Sequence, residues 1–275
     1  MAPDPSDPAR GSKHRFSPEP LQSALAMTAP LRRLRLAGPQ ADELAPGEAE
    51  HALRVLRLSV GDAFEALDGV GRAWQARIRG LERRGLRFEL EQLLRTEPPP
   101  GQAGSPLPHI EVVAGAPRLG HAEELVQHLS QLGAARWTPL ITQRSPPQAR
   151  ELEGHRRERL ERIAGEAMKQ SGRLWAVEIA PPTPLEAFAG TGSGRLRCSP
   201  RASTRLCDFV SKHLQTDTWT IFFGPEGGFE PAEEEHLEAL GATAVWLAPQ
   251  ILRIEVAVAA ALAVIVNQTA RWDRG

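Results

Sequence analysis

The stretch TWTIFFGPEGGFEPAEEEHLEALG, residues 218–241, constrains the fold more than any other. An apolar run that reads as a buried strand stops in Gly224-Pro225-Glu226-Gly227-Gly228, and an acid-rich helical segment follows at once. Acidic residues suit a helix start, where the dipole is positive. A strand that runs through a glycine-rich turn into a helix is a unit of α/β architecture, and the carboxyl edge of a parallel sheet is where such proteins hold ligands. Glycines let backbone N–H groups approach a guest without a Cβ in the way, and Pro225 stiffens the loop. A tight turn beside a solvated acidic helix accounts for the same residues. No phosphate-loop spacing is present, and GTGSGR at residues 190–195 lacks the third glycine of a dinucleotide fingerprint and follows no strand. With four acids close by, a polyphosphate does not fit.

The surrounding sequence repeats the strand–helix alternation. HIEVVAGAP, ARWTPLIT, RLWAVEIA and ATAVWLA read as strands. HAEELVQHLSQLGA reads as a helix with Leu125, Val126, Leu129 and Leu132 on one face. Residues 150–172 read as a long charged helix with Leu160, Ile163, Ala167 and Met168 on its apolar side, and RIEVAVAAALAVIVNQ as a helix apolar nearly all round, hence buried. Together they predict an α/β domain over residues 109–270 with a mainly parallel sheet. Residues 30–97 predict a small, mostly β domain: LRRLRLAG, FEALDGVGRAWQARIRGL with an Asp68-Gly69 turn, GLRFELEQLL, and one short helix before Gly61-Asp62. PPPGQAGSPLP, residues 98–108, reads as a linker, and residues 1–29, rich in Pro, Ser, Ala and charge without periodicity, as a disordered tail.

The formal net charge of −1 advertises no nucleic-acid or membrane partner. Of 33 basic residues 30 are arginine, which suits bidentate phosphate contacts, although genomic base composition produces the same bias. Cys198 and Cys207 have no partner-His spacing, so no metal and no secreted disulfide framework is expected. The longest apolar run, residues 256–266, is too short to span a bilayer, and the N-terminus lacks the apolar core of a signal peptide. The expectation is a cytoplasmic protein with no membrane partner.

A second strand-end loop lies in VWLAPQILRIEVAVAAAL, residues 245–262, and two such loops can flank one pocket. Arg253 and Glu255 there also fit a surface ion pair at a helix start, which contributes little. Taken together, GPEGGF and LAPQILRIEVA resemble the bacterial 16S ribosomal RNA (uridine-N3) methyltransferases of the SPOUT superfamily. Their usual pattern is I-G-P-E-G-G-[FL] followed by L-G-x-R-I-L-R-x-E-T-A. LRRLRL with EHALRVLRLSVGDAFEALDG resembles that family's PUA-like β domain. ELVQHLSQLGAARWTPLITQRS and RLERIAGEAMKQSGR resemble its helix–strand segment and its helix ending in E-Q-S-G-R. The five segments stand in the family's order over residues 31–268.

The resemblance implies a PUA-like barrel followed by a SPOUT-type α/β domain whose C-terminal part forms a trefoil knot, in a homodimer. It implies S-adenosylmethionine as cofactor, walled by Phe223, Gly224, Pro225, Glu226, Gly227, Gly228, Leu247, Ala248, Gln250, Ile251 and Leu252. It implies methylation of N3 of a uridine in small-subunit ribosomal RNA, free or in the assembled subunit. N3 of uridine reacts as its anion, so the site must help remove a proton or stabilise charge on O2 and O4. Arg253 is the candidate stabiliser; Glu255 or Glu226 would accept the proton or orient Arg253. Arg32, Arg33, Arg54 and Arg57 of the β domain, with Arg144 and Arg173, are the candidate RNA contacts. Residues 31–97 hold 12 Arg and 11 acids, so an RNA footprint there is a patch. The apolar helix suits a dimer core or an intrachain core equally.

Several positions depart from the family pattern: Gln250 for Arg, Ala248 for the loop Gly, Lys169 for Glu, His128 for Lys, Gln131 for Glu and Ala52 for His, with Ile254 and Val256 where Thr is common. Two other readings therefore accompany the first: a weakened relative that only binds RNA in ribosome assembly, and a SPOUT methyltransferase with another RNA target.

Overall fold

The computed structural model describes residues 31–39, 41–82, 85–150, 152–189 and 192–271. The tail expected at residues 1–29 lies outside them. The first sheet is built from β1 (Arg32–Arg35), β2 (Ala63–Leu67), β3 (Arg72–Glu82) and β4 (Gly85–Thr96), in that order. β1 runs parallel to β2, and the other pairs are antiparallel. Helix α1 (Glu48–Glu50) continues into a π-helical turn, His51–Val55, between β1 and β2. Period-2 alternation sends Leu34, Phe64, Ala66, Ala76 and Ile78 to one core with Ala52. The β2–β3 turn is tied by Asp68, whose carboxylate accepts from the N–H groups of Val70 and Arg72 at 2.9 Å each.

The second sheet is wholly parallel. Its elements are β5 (His109–Gly115), α2 (Leu119–Gln131), β6 (Arg136–Ile141), α3 (His155–Ser171), β7 (Glu178–Ile179), β8 (Thr183–Pro184), β9 (Gly194–Cys198), α4 (Leu206–Ser211), β10 (Thr218–Phe223), α5 (Pro231–Ala239), β11 (Thr243–Val245) and α6 (Ile254–Thr269). The strand order is β11-β9-β10-β5-β6-β7, with β8 also beside β6. Both faces are covered, as a parallel sheet requires. Ile110, Val112, Trp219, Ile221 and Phe223 meet α2, α3, α4 and α6 on one face. Val113, Leu140 and Phe222 meet Leu237 of α5 on the other.

Strand β9 and helix α4 escaped the sequence reading, although β9 sits inside the sheet between β11 and β10. Its Arg197 is 5% exposed and pairs with Glu234 at 2.8 Å and Glu238 at 3.0 Å, both on α5. A strand carrying two arginines looks exposed until such partners are known. The charged helix begins at His155; residues Pro147–Arg150 form a separate 3-10 turn. The linker is a packed turn: Gly101 donates its N–H to Leu107 O at 2.8 Å and Ser105 is buried. α6 buries one face only, through Val258, Ala261, Leu262 and Ile265, and leaves Val256 44% exposed.

RLWAVEIA is mostly not sheet. Its first half serves the junction between the two sheets: Gly71 donates its N–H to Leu174 O at 3.0 Å, Ala176 to Gly69 O at 2.9 Å, and the Trp175 indole to Glu97 O at 3.1 Å. Leu67, Ala73, Met168 and Leu174 fill the seam. Lys169 of α3 reaches Glu48 of α1 at 2.6 Å and Glu166 at 2.9 Å, with the Lys169 and Glu48 side chains both buried. Burial raises Glu48 above the usual carboxylate range, against the pull of Lys169.

Candidate active site

β10 and β5 are neighbours whose onward connections leave in opposite directions, to β11 and to β6. That is a switch point, where a crevice opens beyond the carboxyl ends of the strands. The loops after β5, β9, β10 and β11 converge there on a cavity of about 720 Å³, a size that suits a cofactor. Its wall includes Pro117 and Arg118 from the first loop, residues 198–200 from the second, 223–229 from the third, and 247–255 save Pro249 from the last.

The glycine loop folds because Gly228 takes φ +72° and returns its N–H to Pro225 O at 2.8 Å. A Cβ on Gly224 would stand 3.2 Å from the Phe229 ring. Arg144 pins the loop from outside, donating to Gly227 O at 2.5 Å and to Glu230 at 2.6 Å. Glu233 is buried and closes the start of α5, accepting from the N–H of Glu230 and of Gln143 at 2.8 Å each. The loop after β6 and the glycine loop are thus fixed to one another.

The second wall ends in the first turn of α6. Arg253 is its N-cap residue and is exposed to the cavity. Glu255 is buried, with its Oε1 3.2 Å from Nδ1 of His121 on α2. Glu124 lies 3.6 Å from the same nitrogen. Among the described residues His121, Glu124 and Glu255 form the one group with metal-ligand spacing, within 4.8 Å of one another. His128 places its Nδ1 3.3 Å from Glu255 O. Cys198, half-buried, lines the cavity, and desolvation pushes its thiol above the ordinary range.

The residues expected from the two motifs therefore share one cavity: Phe223, Gly224, Pro225, Glu226, Gly227, Gly228, Leu247, Ala248, Gln250, Ile251, Leu252, Arg253 and Glu255 all line it. Glu226 is exposed and Ile251 is 92% exposed. The expected RNA contacts divide. Arg32, Arg54 and Arg57 are exposed, and Arg54 pairs with Glu50 at 2.7 Å. Arg33 is committed to Glu65 at 3.0 Å and Lys169 O at 2.9 Å. Arg173 is a correction: its guanidinium points inward, donating to Ser130 O at 2.7 Å and Ala134 O at 3.2 Å where α2 ends. Desolvation holds it down to about 10, still a cation near neutrality. Sequence reading missed His121, Arg118, Ser199 and Glu234. Only a histidine in the first turn of a helix after a strand-end loop signalled the first of them.

The model of an RNA methyltransferase domain matches residues 104–266. The chain belongs to this RNA methyltransferase family. The model of an RNA methyltransferase PUA domain matches residues 44–91, within the first sheet and its helix. This methyltransferase is similar to the ribosomal RNA small subunit methyltransferase E of Synechocystis, 31% identical over 81% of this chain and 71% of the relative. It is similar to the protein of that name from Mycobacterium bovis, 30% identical over 82% and 86%. Among solved structures, a ribosomal RNA small subunit methyltransferase E from Neisseria gonorrhoeae bound to S-adenosyl methionine aligns with a TM-score of 0.70, at 25% identity over 85% of this chain and 95% of that one. Of the positions that depart from the family pattern, Ala248, Gln250 and Ile254 line the cavity, whereas Lys169 belongs to the junction.

Proposed function

We propose that this methyltransferase transfers a methyl group from S-adenosylmethionine to N3 of a uridine in small-subunit (16S) ribosomal RNA. The observation that carries the reading is one shared cavity at the switch point, lined by residues of both motif loops. The relatives' names and the cofactor bound in the Neisseria gonorrhoeae protein support it. Gly224 and Gly228 give a cradle that side chains would fill or strain, and Phe223, Leu247 and Leu252 give it apolar sides. These residues, with Gly227, Ala248 and Ile251, would hold the cofactor. When bound, S-adenosylmethionine supplies an electrophilic methyl group on a sulfonium.

The chain's part is to place the uracil ring in line and to handle its charge. Positioning alone accounts for much of such a rate enhancement. Arg253, on the cavity wall, stabilises negative charge developing on O2 and O4. Arg32, Arg54 and Arg57 are exposed on the first sheet's side of the molecule and would meet phosphates. The same reading carries a PUA-like domain at 30–97, a SPOUT domain at 109–270 with its trefoil knot, and a homodimer joined along α6, whose half-exposed Val256 supports it.

The test is methylation of small subunits from a strain lacking the modification, with purified protein and S-adenosylmethionine. Mass spectrometry of the digested RNA should show 3-methyluridine. Intact RNA binding without any methylation would favour a binding-only relative, and another methylated nucleoside a different target.

A further inference from the structure

The geometry points to His121 as the group that takes the N3 proton, with Glu255 as the positioning residue behind it. This rests on the reading of the site as a uridine-N3 methyltransferase. A proton acceptor must face the cavity, and Glu255 is a poor candidate for that. Its side chain is 4% exposed and its carboxylate oxygen is 3.2 Å from His121 Nδ1. Glu226 is exposed beside the glycine loop, with no partner holding it in place among the hydrogen bonds and ion pairs of the described residues. His121 has both properties needed. Its side chain is 40% exposed and lines the cavity, and one ring nitrogen lies 3.2 Å from the buried Glu255 carboxylate.

The division of labour follows from the two nitrogens. The Glu255 carboxylate 3.2 Å away favours the tautomer with its hydrogen on Nδ1, which leaves Nε2 as the acceptor. In the step, the N3–H bond breaks and the proton goes to Nε2. The electron pair stays on N3 and forms the bond to the methyl carbon as that carbon's bond to sulfur breaks, its pair going to sulfur. The imidazolium produced is neutralised by Glu255, and by Glu124 at 3.6 Å. The N-terminus of α6 suits the Glu255 carboxylate, and the His128 ring 3.3 Å from Glu255 O braces the same turn. The other charged groups on the cavity wall are Arg118 before α2, Arg253 at the start of α6, Glu226 of the glycine loop and Glu234 of α5.

The experiment is single-turnover methylation of unmodified small subunits across about pH 5.5–8.5, the range that brackets histidine titration, with the wild type, His121→Gln and Glu255→Gln. S-adenosylmethionine binding is measured in parallel by calorimetry. Loss of a general base lowers the rate about 100-fold or more. His121→Gln should show that loss at neutral pH, with cofactor affinity within about 3-fold of wild type. The rise in rate from acid to neutral pH should disappear with it. Glu255→Gln should slow the reaction less and displace that rise. A His121→Gln protein that is as fast as wild type, or that loses cofactor binding in proportion to rate, overturns the assignment alone. A wild type that makes no 3-methyluridine overturns both the reading of the site and the role of His121.

Discussion

The junction between the two sheets and the mouth of the cavity use the same residue types for opposite ends. At the junction every feature is closed. Lys169 is buried against Glu48, and a Cβ on Gly71 would stand 2.7 Å from the Trp175 ring. At the cavity the corresponding features are open. Arg253 and Glu226 face the void, Gly228 has open space where a Cβ would go, and Ile251 is 92% exposed. A buried ion pair fixes one arrangement of two surfaces, because removing either partner leaves the other charged in a dry place. A charge left on a cavity wall stabilises little in the resting protein and acts only when a guest arrives. The difference separates residues whose loss unfolds from residues whose loss silences.

Breaking the junction should have the largest effect. Lys169→Met strands Glu48 and should lower unfolding free energy by about 3–5 kcal/mol in urea titrations; pairing it with Glu48→Leu should recover much of that loss. Arg253→Ala probes the other side of the contrast. Its rate of methyl transfer should fall about 10²–10³-fold, near 3–4 kcal/mol in the barrier, while the thermal midpoint holds; unchanged turnover with intact cofactor binding removes Arg253 from the mechanism. Gly228→Ala sits between the two. Space is available but φ is +72°, so a strain of about 1–2 kcal/mol is expected, read as weaker S-adenosylmethionine binding by calorimetry. Arg54→Ala should change least: no shift in thermal midpoint, and a salt slope for RNA binding shallower by about one unit.

What could be read in advance follows the same division. The apolar strands and the loops bearing Gly224 and Arg253 announce themselves because their signals are local: a run, a break, a cap. β9 was not legible because Arg195 and Arg197 look solvated until Gly192 O and Leu240 O take the first and Glu234 and Glu238 of α5 the second. RLWAVEIA reads as a strand, yet only Glu178–Ile179 joins the sheet, because the peptide groups of Leu174 and Ala176 are spent on the β2–β3 turn. Arg173 reads as a surface cation and is held inside by two carbonyls where α2 ends. His121 gives only the weak signal of its place in a helix's first turn, since Glu255, the residue that gives it meaning, stands at the start of the last helix. Local chemistry was readable; pairings between distant segments were not.

The loops that wall the cavity also have an order in time. Chains emerge N-terminus first, and their domains fold as units. The first sheet, residues 32–96, is complete early, whereas residues 198–200, 223–229 and 247–255 come late. A chain cut short before α6 would carry an intact first sheet and most of the second, yet lack the turn that holds Arg253 and Glu255. The cavity is therefore closed by segments that all follow the first sheet in the chain, and the wall that carries Arg253 and Glu255 is the last of them to be made.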